Sequence, residues 1–210
     1  MTRRYARSLV AVPAAVLAVT LGVTAALAAT TWTVRPGGPL SLTSGTLTFT
    51  DTKTRSNFTC TSSRSSGTLK SGSGLSGTRI GSLTAISFTN CTNPLGIRFF
   101  LMAADLPWHV NFSAYNATTG VAAGSISHIH INVSSPGCGA VIDGTSAVAG
   151  DGIVKVSYTN STAKLKARTT GGNLHFYSVT GCAGLFLSGD PVTVSAATFT
   201  VSPKQAITSP

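Results

Sequence analysis

Glutamate is missing from all 210 residues, and the five acids are Asp51, Asp105, Asp143, Asp151 and Asp190. Glycosidase chemistry needs two carboxylates flanking one bond. Here the few that exist fall mostly at turn positions, two of them in the Asp-Gly pairs 143–144 and 151–152. No Gly-x-Ser-x-Gly elbow presents a nucleophile, and no Cys-x-x-Cys pair offers a zinc ribbon or a redox dithiol. Charged residues are only 10% of the chain, with Ser, Thr and Gly filling the polar role. No apolar period of 3.6 residues runs for three turns, which excludes a helical fold. No nucleic-acid-binding module is recognisable, and no nucleic-acid partner is expected.

What is present points first to export. The basic start Arg3-Arg4-Tyr5-Ala6-Arg7 is followed by an uncharged run over residues 8–28 that ends in Ala26-Leu27-Ala28. Basic start, apolar middle and small-x-small exit predict a signal peptide over 1–28, cleaved before Ala29. An uncleaved anchor is the rival, since the run has about the length of a membrane span. The expected product is one secreted, extracellular domain over 29–210 with no membrane span after cleavage. Removing Arg3, Arg4 and Arg7 from the net charge of +10 leaves 10 − 3 = +7. A thin positive excess suits an anionic envelope polymer and equally suits a soluble protein with no charged partner.

Cys60, Cys91, Cys138 and Cys182 form an even set in a chain read as exported, so two disulfides are expected. Their pairing comes from an internal likeness. "SLTAISFTNC" (82–91) and "NLHFYSVTGC" (173–182) share Leu, Ser, Thr and Cys at matching places, and "GTLKSG" (67–72) loosely echoes "AKLKAR" (163–168). Two weakly related halves, each with its own bridge, give Cys60–Cys91 and Cys138–Cys182.

Apolar and polar residues alternate from Trp32 to Val201, interrupted by Gly, Asn, Asp and Pro. About a dozen short strands predict an all-β fold, an antiparallel β-sandwich or a two-sheet β-barrel. The Ser- and Gly-rich stretch 63–77 reads as a loop or a mobile edge hairpin, and the apolar run 96–104 as a strand buried on both faces. In "PWHVNFSAY" (107–115), Trp108, Val110, Phe112 and Ala114 fall on one face. The segment 191–201 reads as one last strand resembling residues 39–49.

"SHIHIN" (127–132) places His128, His130 and Asn132 on one strand face. If residues 115–120 turn the preceding strand back, His109 lies opposite His128 or His130. Three imidazoles there are the start of a tetrahedral zinc or copper site with one open position. Cupins and carbonic anhydrases begin their sites with such a motif. Cupins add a glutamate, which is absent here, and the sole carboxylate in view is Asp143. The simpler reading is the wet face of a half-buried sheet.

Lys164, Lys166 and Arg168 alternate with Leu165 and Ala167, a basic stripe suited to an anionic polymer. Edge strands carry such lysines to block pairing with other chains, and that reading comes first. Trp32, Trp108, Tyr115, Tyr158 and Tyr177 could stack sugars, although tryptophans at strand spacing are more often core.

"GTLKSGSGL" (67–75), "YTNSTAKLK" (158–166) and "SGDPVTVSAATFTVSP" (188–203) resemble segments of small exported β-rich actinomycete proteins with no established function. The resemblance implies export and a β-rich body and carries no residue roles. Apo-chromoproteins of the neocarzinostatin type are similar in being exported β-sandwiches with two disulfides. The function expected is a non-catalytic binding or structural protein at or outside the cell envelope, contacting an envelope polymer or protein without a cofactor. The alternatives are a metal-binding protein or zinc enzyme built on His109, His128 and His130, and a carrier of a small apolar ligand.

Overall fold

The computed structural model describes residues 31–195 and 197–210; the expected signal peptide and its exit site lie outside the described residues. Sixteen strands follow one another with no helix between them: β1 (Thr31–Arg35), β2 (Gly38–Ser44), β3 (Leu47–Asp51), β4 (Asn57–Leu69), β5 (Gly72–Ser76), β6 (Gly81–Thr92), β7 (Arg98–Ala104), β8 (Trp108–Asn116), β9 (Val121–Ser135), β10 (Cys138–Asp143), β11 (Gly152–Thr159), β12 (Lys164–Ala167), β13 (His175–Thr180), β14 (Val192–Ser195), β15 (Thr198–Ser202) and β16 (Ala206–Thr208).

Several of these strands are segments of longer ones. β2 and β3 hold one register against β4, with Ser44 facing Ser63 and Leu47 facing Cys60. β15 and β14 likewise share a register against β2 and β3. β7 and β8 both lie against β6 and β9, parted by residues 105–107. β10 and β11 lie end to end along β9, with the loop 144–151 between them. β12 pairs with β11 and β13 with β10, parted by residues 168–174.

The wall therefore has eight positions: β2/β3, β4, β6, β7/β8, β9, β10/β11, β12/β13 and β14/β15. It closes antiparallel through β2–β15, and each position neighbours the next in sequence. This is an up-and-down meander, which needs only hairpins and leaves no long free edge. β1, β5 and β16 form a separate three-stranded sheet. That sheet covers one end of the interior, where the Trp32 ring lies 5.5 Å from Phe112 and Tyr158 OH donates to Gln205 O at 2.9 Å. Elsewhere in the interior Phe58, Phe99, Phe176 and Phe186 pack with centroids 4.5 to 5.8 Å apart.

Both expected disulfides are formed. Cys60–Cys91 joins wall positions two and three, and Cys138–Cys182 joins position six to the chain just beyond β13 of position seven, four positions further round. The matched segments behave alike: Leu83 and Leu174 are buried, and Ser87 and Ser178 are exposed. Asn90 (φ 46°) and Gly181 (φ 67°), each just before the cysteine, are both left-handed.

Four expectations are corrected. Residues 63–69 are not a loop: they belong to β4, between β2 and β6, with Ser63 and Ser65 buried in the wall. Small residues are required there, because a Cβ on Gly67 would run into the Ser82 carbonyl oxygen at a break in register. β7 is not buried on both faces, since Phe100 and Met102 are 66% and 67% exposed. The run 191–201 is two strands. Ala114 also leaves the Trp108–Val110–Phe112 face, because the register shifts between Phe112 and Ala114.

Candidate functional site

The histidines separate into a stacked pair and a buried single residue. His109 faces Ser127 across the hairpin, opposite neither His128 nor His130. The reason is a bulge in β9: Gly152 faces Ile129 while Ile153 faces Ser127, so His128 is an extra residue, with φ 67°. An extra residue reverses the inside–outside phase of everything beyond it. Ala122 and Gly124 are buried before the bulge, and Ile129, Ile131 and Val133 after it. His128 and His130 thus lose the shared face that simple alternation predicts. The His109 and His128 rings stack, centroids 5.4 Å apart and 14° from parallel. Burial, then the Arg79 guanidinium, then His128 hold the His109 pKa below its ordinary value.

His130 is buried, with Nδ1 3.0 Å from Asp143 Oδ2 and 3.2 Å from Asp105 Oδ2. Neither approach is aligned as a hydrogen bond, so Nδ1 is buried without a hydrogen-bond partner. Asp143 is fully buried and is a loop anchor. Its Oδ1 accepts from the N–H groups of Gly144 (2.6 Å), Asp151 (3.0 Å) and Gly152 (3.2 Å), and its Oδ2 from Gly150 (2.8 Å). One carboxylate thereby ties both ends of the loop 144–151. Asp151 is held by the Thr145 hydroxyl at 2.7 Å, which keeps its carboxyl below the usual range. Among the described residues no group of three or more His, Cys, Asp or Glu side chains could hold a metal ion. The convergence of His109, His128 and His130 that the alternative reading needs is not formed among them. Asp143 was already in view as the nearest carboxylate; Asp105 carried no sequence signal, because only the pairing of β7 with β9 brings it there.

The basic stripe is placed differently from its first reading. β12 is no edge strand: it pairs with β11 on one side and β15 on the other. Leu165 and Ala167 point into the core, while Lys164, Lys166 and Arg168 are exposed at i, i+2 spacing, about 7 Å apart along the strand. Lys155 of β11 is exposed too, and the Arg168 N–H donates to its carbonyl at 2.8 Å. Ser157 and Thr198 flank Lys166, and Thr159 and Thr200 flank Lys164, whose Nζ donates to Thr200 Oγ1 at 2.6 Å.

Among the described residues no carboxylate neutralises these cations. Asp51, Asp143 and Asp190 are buried, Asp105 contacts His130, and Asp151 is held by Thr145. The one Lys/Arg–Asp ion pair among the described residues is Lys53–Asp190 at 3.3 Å. The result is an outward face of cations and hydroxyls.

The aromatic platform is not assembled: Trp32, Trp108 and Tyr158 belong to the core, while Tyr115 and Tyr177 are half-buried. No protein-family model, no curated protein and no solved structure matches this chain.

Proposed function

We propose that this is an exported, non-catalytic binding protein that docks on an anionic polymer at or outside the cell envelope through the outer face of β11, β12 and β15. The observation that carries the reading is the position of β12 inside the wall. Cations that alternate on an edge strand have a purpose without any ligand, whereas on an interior strand that purpose disappears. Four unpaired positive side chains remain among hydroxyls that can bond phosphate or carboxylate oxygens. Export is supported by the two disulfides, which persist in oxidising compartments. Among the described residues no helix is long and apolar enough to cross a membrane.

The test is binding of long-chain inorganic polyphosphate across a salt series, with neutral dextran as the control. Changing Lys164, Lys166 and Arg168 together to serine removes three contacts, so the slope of log K against log salt falls by about 2 for a flexible polyanion. An unchanged slope, or equal binding to dextran, sinks the proposal.

A further inference from the structure

Two cavities meet where the wall breaks between β12 and β13. One, of about 70 Å³, lies among core side chains and has an almost wholly apolar lining that includes Leu83, Phe88, Trp108 and Ile129. The other is a cleft of about 170 Å³, bounded by the 168–174 connection, Ile153 and the start of β14. Val154, Leu174 and Val194 line both, so these three aliphatic side chains are the partition between cleft and interior.

The wall is thin here for a structural reason. Pro191 bridges His175, and pairing with β12 resumes only at Thr198. Between these points Thr193, Val194 and Ser195 have a strand partner in β3 alone. Opening the partition therefore asks for rotation of three side chains and breaks no strand ladder. Arg168 and His175 are the two ionisable residues on the cleft, and no carboxylate lines it.

We propose that this slot is a lateral binding site for a small amphipathic anion, an alkyl carboxylate. Its tail displaces the Val154–Leu174–Val194 partition and enters the apolar cavity, and its carboxylate pairs with the Arg168 guanidinium at the mouth. A hydrocarbon group gains by covering so apolar a lining. A planar guanidinium matches a carboxylate with two parallel hydrogen bonds. The small interior volume limits the inserted part to a short alkyl segment, with the rest of the ligand in the cleft. The site does not depend on polymer binding, although Arg168 borders both surfaces.

Octanoate and 1-octanol are the probes, titrated into the full chain with both disulfides formed, with methyl NMR signals and calorimetry as readouts. Octanoate is expected to shift the Val154, Leu174 and Val194 signals. Arg168→Gln weakens octanoate about tenfold or more, the worth of a bond to a charged group, and leaves 1-octanol unchanged. Val154→Ala opens the partition and tightens both ligands, whereas Val194→Phe fills the slot and abolishes both. Lys164→Ser/Lys166→Ser keeps octanoate binding while losing polyphosphate affinity, which separates failure of this site from failure of the polymer face. Absence of octanoate binding in both the parent and Val154→Ala overturns the inference. So does equal weakening of octanoate and 1-octanol by Arg168→Gln.

Discussion

Replacing Asp143 by asparagine tests the anchoring of the loop 144–151 with almost no change in shape. The carboxylate is fully buried and accepts four backbone N–H bonds, three on Oδ1 and one on Oδ2. Asparagine keeps one acceptor oxygen. If that oxygen takes the three bonds, the new amide NH₂ faces the Gly150 N–H, and one buried donor is left without a partner. A bond to a charged group is worth about 1.5–3 kcal/mol, and an unsatisfied buried donor costs about 1–3 kcal/mol. The remaining bonds also weaken as their acceptor loses its charge. The expected loss is about 3–5 kcal/mol, roughly 6–20 °C in Tm for a chain of this size. Calorimetry gives the global figure. Hydrogen exchange gives the local one, since Gly150, Asp151 and Gly152 should lose protection ahead of the barrel strands. Asp105→Asn is the control: its side chain is 53% exposed and touches only the edge of His130, so the cost stays below about 1 kcal/mol. A loss under about 1 kcal/mol in Asp143→Asn, or unchanged exchange at those three amides, refutes the anchoring argument.

Gly67→Ala drives a methyl into the Ser82 carbonyl and should cost about 1–3 kcal/mol in urea unfolding; a neutral result would mean that β4 yields there. Removing Cys60–Cys91 or Cys138–Cys182, with separations of 31 and 44 residues, should cost about 3.7 and 4.0 kcal/mol on the chain-entropy model. Equal stability of the serine variants would contradict it. The His109 pKa is depressed on folding, so the stability it contributes is whole above 6.5 and declines as pH falls from there through the folded value. Arg79→Gln should raise that pKa only part of the way in an NMR titration, because burial is the larger cause; full restoration would reverse the ranking. Asp151 is also depressed, so its contribution is present above 3.8 and fades as pH falls through its folded pKa. Thr145→Ala should flatten that acid limb, and an unchanged limb would remove the hydroxyl as its cause.

Periodicity and composition read the all-β class and most strand positions correctly, because alternation is a local property and most strands here have one face inside. "PWHVNF" and the strand from Ile153 to Tyr158 are examples, buried at Trp108, Val110, Phe112, Val156 and Tyr158. The Cys60–Cys91 and Cys138–Cys182 pairing was legible through the likeness of residues 82–91 and 173–182. The Ser- and Gly-rich part of β4 misled, since hydroxyl and glycine content signals a loop only when bulk is needed inside. Where neighbouring strands crowd in, small residues are the core. The separation of the histidines was not legible for a different reason. A one-residue bulge at His128 inverts the alternation, and bulges leave little trace in a single sequence.

By itself, the sequence determined the strand-forming segments, the two disulfides and the stock of side chains, including an excess of cations over carboxylates. Closure of the meander decided the rest, since neighbours across a wall are set by register over long sequence separations. It made β12 an interior strand, turned its cations from edge protection into an unpaired face, and spent most of the few carboxylates on loops. It also carried His130 away from His128 and His109, because side chains meet by register and bulge rather than by spacing along the chain.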